Sequence, residues 1–367
     1  MKRIKSIDIL RGVSMTWMMI GHLLAWWIRD KDRWFYLLTF DIFDPIGAAA
    51  FLLVAGISSA ISYNNRIAKI EISDGYTKNA IRNEYFLRAF FVLIVALIYN
   101  VFIAIGTSDP YMIWTWFILL TVAISLFIGW PLLKTPKLFR ILLGAIFWLV
   151  HLVLFEILYP FRGDSNYYGL LYHILYNKWS LDPILPMFPF FLFGTVLGEL
   201  LFDIYHIENQ KEKKLALMKK FLLPLMIIGP ILIICCVSIA STIPKNRSYI
   251  WLIYSLGIQL TLLSVILFFE EFIFYKTEKS YKFLFYYSYY SLVIYLAHNA
   301  LYFLFYRQLN KFEIWIYIAG TFIIIGLIFS FIYKKWGYRA SLKTQLGKLA
   351  SGLAKKIEEK KVKKITF

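Results

Sequence analysis

The sequence predicts an all-α protein that crosses a membrane many times, and three observations predict it. Of 367 residues, 60% are hydrophobic, 19% aromatic and only 17% charged, with a mean hydropathy of +0.64. A soluble domain of this length needs more polar surface than that. The charges sit in short clusters between apolar runs of about 20 residues, the length a helix needs to cross a bilayer. The alternation expected of membrane β-strands, about ten residues each, is absent.

Ten apolar runs follow in order: 9–28, 45–63, 86–105, 112–133, 138–158, 183–205, 221–243, 250–272, 283–306 and 312–333. The first follows MKRIK. It continues into Trp26-Trp27-Ile28-Arg29, where a cleavable signal would place small residues, so it reads as a retained span. The fourth and fifth runs form a tight hairpin around Lys134-Thr135-Pro136-Lys137. A longer loop, 159–182, rich in Tyr, Asn and Gly, separates the fifth from the sixth. Of the 40 Lys and Arg residues, 29 fall at the N-terminus, in the even loops and in the tail, against 9 in the odd loops. This asymmetry predicts cytoplasmic termini and an even number of spans.

The expected organisation is one integral domain, 1–333, and a basic cytoplasmic tail, 334–367. The net charge of +18 shows no basic–aromatic interleaving on a soluble face, so no nucleic-acid partner is expected. The tail carries runs such as KKIEEKKVKK. It is expected to lie on anionic membrane lipids, with an amphipathic surface helix around 340–358, or to be partly disordered. Cys235 and Cys236 are adjacent in an apolar run and have no metal-ligand spacing, so they read as ordinary buried residues.

The unusual segment is SIDILRGVSMTWMMIGH, residues 6–22. Ionisable groups inside a span are costly and mark function or a partner. Asp8 and Arg11 are three residues apart and share a helix face, so they can pair. Arg11 and His22, eleven apart, lie on one stripe, about 16 Å apart along the axis. A cytoplasmic-end anchor is the structural alternative for Asp8 and Arg11, and a satisfied interhelical bond for His22. His298, in YYSLVIYLAHNALYF, lies about 22 Å into the ninth run, while His22 lies about 18 Å into the first. Two imidazoles are thus expected in one layer, with Ser291, Tyr295 and Asn299 near the second. A proton relay or a transport site fits these residues as well as catalysis does. His151, Glu156, Glu199 and Gln259 read as structural, and His173 and His206 as solvated.

These residues carry a resemblance. IDILRG followed by His22, with ten residues between Arg11 and His22, resembles the first-helix signature of the membrane-bound acyltransferase superfamily. It is most similar to the heparan-alpha-glucosaminide N-acetyltransferase catalytic family. FDPIGAAAFLLVAGISSAIS at 43–62, LDPILPMFPFFLFGTVLGE at 181–199 and YSLVIYLAH at 290–298 resemble later helices of that family, in the right order. Two departures stand out. The lysosomal members carry a histidine in the loop after the first helix, and residues 29–44 contain none. Met187 stands where an aromatic residue follows the proline.

The resemblance implies a multi-pass cell-membrane enzyme. It would move an acyl group, usually acetyl, from cytoplasmic acyl-CoA to a hydroxyl or amino group of a sugar or other small acceptor. Acyl-CoA would be the co-substrate, with no metal. Arg11, fixed by Asp8, and Arg82 and Arg88 would meet the CoA phosphates. His22 would act as general base or as nucleophile. His298 or Asp44 would orient the acceptor, and His298 could also protonate the leaving group. A proton-coupled carrier and a non-catalytic scaffold of the same architecture remain the rival readings, and homo-oligomerisation stays open.

Cysteines introduced singly in 206–220 and in 159–182 are expected to react with impermeant reagents from opposite sides of the membrane. Labelling of both from one side would refute the charge-derived topology.

Overall fold

The computed structural model describes residues 4–70, 77–177, 181–240, 244, 248–273 and 282–365. In chain order the helices are α1 (Lys5–Trp27), α2 (Arg33–Phe43), α3 (Ala48–Ile70), α4 (Lys78–Thr107), α5 (Ile118–Leu132), α6 (Lys137–Leu158), α7 (Tyr167–Leu175) and α8 (Ile184–Tyr205). They continue with α9 (Gln210–Leu217), α10 (Leu223–Ala240), α11 (Tyr249–Phe268), α12 (Lys282–Tyr289), α13 (Ser291–Ala297), α14 (Glu313–Trp336) and α15 (Leu342–Ile365). Among the described residues the one strand-like pairing is an isolated parallel bridge between Ile28 and Leu309. The protein is therefore an all-α, polytopic membrane protein.

Eight helical stretches among the described residues are long and apolar enough to cross a bilayer. They match the second to eighth and the tenth apolar runs. The first and ninth runs, which carry the two histidines, are not among them. Helix α1 is continuous but diluted by Asp8, Arg11, Ser14, Thr16 and His22. The ninth run is not one helix as the sequence suggested. It breaks at Tyr290 between α12 and α13 and tightens into a 3-10 segment at His298–Phe303. Two stretches read as loops also hold helices, α2 within 29–44 and α7 within 159–182.

The chain packs as two compact units: Met1–Phe51 with Ile207–Gln345, and Leu52–His206 with Leu346–Phe367. In the first unit, the start of α1 is capped by Glu270. The N–H groups of Lys5 and Ser6 donate to its carboxylate at 2.9 and 2.6 Å, and the Ser6 hydroxyl bonds it as well. An anion at a helix N-terminus satisfies orphan N–H groups and opposes the helix dipole. Alongside, α1 lies against α12, and Gly12 is what permits the approach. A Cβ at that position would collide with the Leu284 carbonyl oxygen.

The tyrosine-rich α12 is pinned from its other side. The Tyr287 hydroxyl donates to Phe322 O on α14 at 3.0 Å, and that of Tyr290 donates to Gly337 O at 2.9 Å. The far end of α1 is tied by main chain: Arg307 N donates to Trp26 O, Leu309 N to Trp27 O and Arg29 N to Leu309 O, each at 2.9 Å. Helix α2 folds back along α1, since Gly21 lies beside Phe40 and Gly47 beside Trp17. The 3-10 turn Asp44–Ile46 is therefore level with Trp17.

In the second unit, α3 and α8 touch backbone to backbone. A Cβ at Gly194 or Gly198 of α8 would strike the carbonyl of Leu53 or Ile57 on α3. This is the small-residue packing that lipid-embedded helices favour. Helix α6 meets α8 where the Trp148 indole donates to Pro186 O at 2.9 Å. Arg140 of α6, counted among the loop cations from sequence, is fully buried. It donates to the Thr195 hydroxyl at 3.0 Å and pairs with Glu199, which Lys137 reaches at 3.3 Å. A buried cation persists only with such partners. His151 is buried too, 3.3 Å from the Tyr176 hydroxyl. Cys236 is buried as expected, but Cys235 is exposed.

Gly12→Ala is expected to destabilise the detergent-solubilised protein by about 1–3 kcal/mol, the usual cost of overpacking, read as a lowered Tm. Gly320→Ala on α14, where a Cβ meets nothing within 4 Å, is the control and should leave Tm unchanged or raised.

Candidate functional site

The site is built where the upper part of α1 meets the 3-10 segment after α13, all within the first unit. His22 and His298 have ring centroids 4.9 Å apart. Trp26, one helical turn beyond His22, stacks on both rings, at 5.1 Å from His22 and 5.7 Å from His298. Tyr302 closes edge-on against Trp26 at 5.6 Å. The three main-chain bonds from 307–309 to the end of α1, and the Trp27 indole donating to Leu301 O at 2.9 Å, hold the two segments in register.

The two imidazoles differ in their surroundings. His298 is buried, and its Nδ1 lies 2.5 Å from Tyr295 O. A carbonyl oxygen only accepts, so in the neutral ring Nδ1 carries the hydrogen and Nε2 the lone pair. That Nε2 is buried with no hydrogen-bond partner among the described residues. Unsatisfied buried polar atoms are rare in native proteins and call for an explanation. His22 has accessible surface although its neighbours Gly21, Leu23 and Leu24 are buried.

Down the same stripe of α1, the Arg11 guanidinium lies 3.5 Å from Asp8 Oδ1, and the Ser288 hydroxyl of α12 donates to the same oxygen at 3.4 Å. The Arg11 side chain is 13% exposed, so it is sheltered but reachable. Asp44 sits in its turn at the level of Trp17, about 7.5 Å along α1 from His22 by helix rise. Gln259 donates to the neighbouring Pro45 O at 3.3 Å. Arg82 and Arg88 belong to the second unit. Arg82 is exposed, and Arg88 is half-buried within electrostatic reach of Arg66 and Glu84. Arg66 and Glu84 form an ion pair at 2.5 Å. Glu199, with Arg140, and His151, with Tyr176, have the structural partners described above.

A family model for the heparan-alpha-glucosaminide N-acetyltransferase catalytic region matches residues 3–234. The chain belongs to this family. A search among curated proteins finds no match. Family and helices together make it a membrane-bound acyltransferase. The matched stretch of this N-acetyltransferase family contains Asp8, Arg11, His22, Asp44, Arg82 and Arg88 and ends before His298. The place of His298 beside His22 is thus a matter of geometry alone. Sequence reasoning missed Trp26, which touches both histidines, and Ser288, which steadies Asp8. A tryptophan four residues after an intramembrane histidine, on the same face, was the available signal for the first.

Trp26→Ala is expected to lower acetyl transfer at least about tenfold, because the ring that sets both imidazoles is lost and small misplacements are costly. Trp26→Phe should retain most of the activity. Equal activity of the two variants would remove Trp26 from the site.

Proposed function

We propose that the protein transfers an acetyl group from acetyl-CoA, arriving on the cytoplasmic side, to a hydroxyl or amino group of a sugar-like acceptor. The observation that carries this reading is the His22–His298 pair, with one ring accessible and the other holding a bare, buried Nε2. A cell-membrane location with cytoplasmic termini accompanies it, supported by the distribution of Lys and Arg.

The residues present suit such a co-substrate. Arg11 would hold a CoA phosphate, kept in place by Asp8 and through it by Ser288. A guanidinium matches a phosphate bidentately. Acetyl-CoA, when bound, supplies an acyl group activated as a thioester. His298 Nε2 can only accept, so it would orient the acceptor by taking a hydrogen bond from a neighbouring hydroxyl, or from the second N–H of a reacting amine. This favours the orienting role for His298 over proton donation. His22 would remove the acceptor's proton as the acceptor oxygen or nitrogen bonds the carbonyl carbon. The carbon–sulfur bond then breaks, and the imidazolium of His22 returns the proton to the departing sulfur. Asp44, in its turn nearer the cytoplasmic end of α1, is better placed to line the approach than to touch the rings.

The test uses purified protein, acetyl-CoA labelled in the acetyl group and a panel of amino sugars. Wild type should transfer or slowly hydrolyse the label, which a carrier or scaffold would not. His22→Ala should lose about 10²–10⁴-fold, the usual contribution of general acid–base catalysis, while still binding CoA. His298→Ala should keep partial activity. Arg11→Ala should raise the KM for acetyl-CoA more than Arg11→Lys does. Full transfer by His22→Ala would end this reading.

A further inference from the structure

Helix α15 follows the last long apolar helix, and it has a face that the protein does not cover. Ala350 and Ala354 are buried, at 0% and 2% exposure, and Asn83 of α4 donates to Glu358 at 3.2 Å. One side of the helix is therefore held by the second unit. Beside that side, Leu349, Leu353 and Ile357 are 55%, 40% and 38% exposed. At about 100° per residue these three fall within an arc of about 80°. Lys348, Lys355, Lys356 and Lys360 are all exposed. Lys348 and Lys355 lie across the helix from the stripe, Lys356 borders it, and Lys360 ends it, on the same face one turn beyond Ile357.

We infer that α15 is a membrane-surface helix whose stripe Leu349, Leu353 and Ile357 enters the acyl region of an anionic leaflet while its lysines meet the headgroups. Aliphatic side chains standing beside exposed cations are the pattern of an in-plane interfacial helix. Lysine stems can lie along the apolar surface and still deliver their charge to headgroup phosphates. Charge complementarity selects the lipid, because polybasic segments are drawn to anionic and not to zwitterionic surfaces. A water-facing helix would have no use for a continuous aliphatic stripe, and a protein-covered one would not leave it exposed. This inference does not depend on the catalytic reading.

The test keeps the full chain, with Cys235→Ser and Cys236→Ser, at one copy per nanodisc of mixed zwitterionic and anionic lipid. Nitroxide labels are placed singly at Leu349→Cys, Leu353→Cys and Ile357→Cys, and at Lys355→Cys and Glu359→Cys on the other face. The three stripe labels should be more accessible to oxygen than to a water-soluble nickel complex, and the other two should show the reverse. In purely zwitterionic discs the stripe labels should shift several-fold towards nickel accessibility. Equal nickel accessibility on both faces would overturn the inference. So would protection seen only in discs holding two copies, which would make a second chain the occupant. A lipid depth unchanged without anionic lipid would overturn the charge-based selection.

Discussion

The contact between α1 and the broken α12–α13 segment is the constraint on which the candidate site depends. A helix carrying Asp8, Arg11 and His22 is unsuited to lipid, and so is a segment as rich in tyrosine, serine and histidine as 282–303. Each becomes stable by presenting its polar groups to the other. Gly12 lets the backbones approach, Ser288 meets Asp8 at one end, and the main-chain ties of 307–309 lock the other. The pair His22–His298 sits between these fastenings, so its geometry follows from packing on both sides of it.

The same accounting separates the eight strongly apolar stretches from these two. Polar atoms inside a bilayer must be satisfied within the protein. In the second unit Arg140, Thr195, Glu199 and Lys137 are partners of one another, with Arg140 Nε left over. His151 likewise has Tyr176. At the histidine pair the accounting stays open, with a buried Nε2 left bare and an accessible ring beside it. Arg140 Nε and Gln259 Oε1 are bare as well, so what sets the histidine pair apart is a basic lone pair beside a second, accessible imidazole.

What the sequence by itself determined was set by composition and period. Ten apolar runs, an all-α class and two histidines at similar depth follow from residue type and a rise of 1.5 Å per residue, because a bilayer imposes helix length directly. The family was also legible, since IDILRG and His22 are local. Tertiary structure decided the rest. It interrupted the ninth run at Tyr290 and pinned it from the side, through the Tyr287 and Tyr290 hydroxyls, to Phe322 O and Gly337 O. It turned 33–43 into a helix folded back on α1, which lowered Asp44 to the level of Trp17. It buried Arg140, near the start of the fifth run, and paired it with Glu199. It brought Trp26 onto both imidazoles and oriented His298 through Tyr295 O. None of these could be read from sequence, because each depends on a partner in another element of the fold or on which carbonyl a ring happens to meet, and helical period carries no information about either.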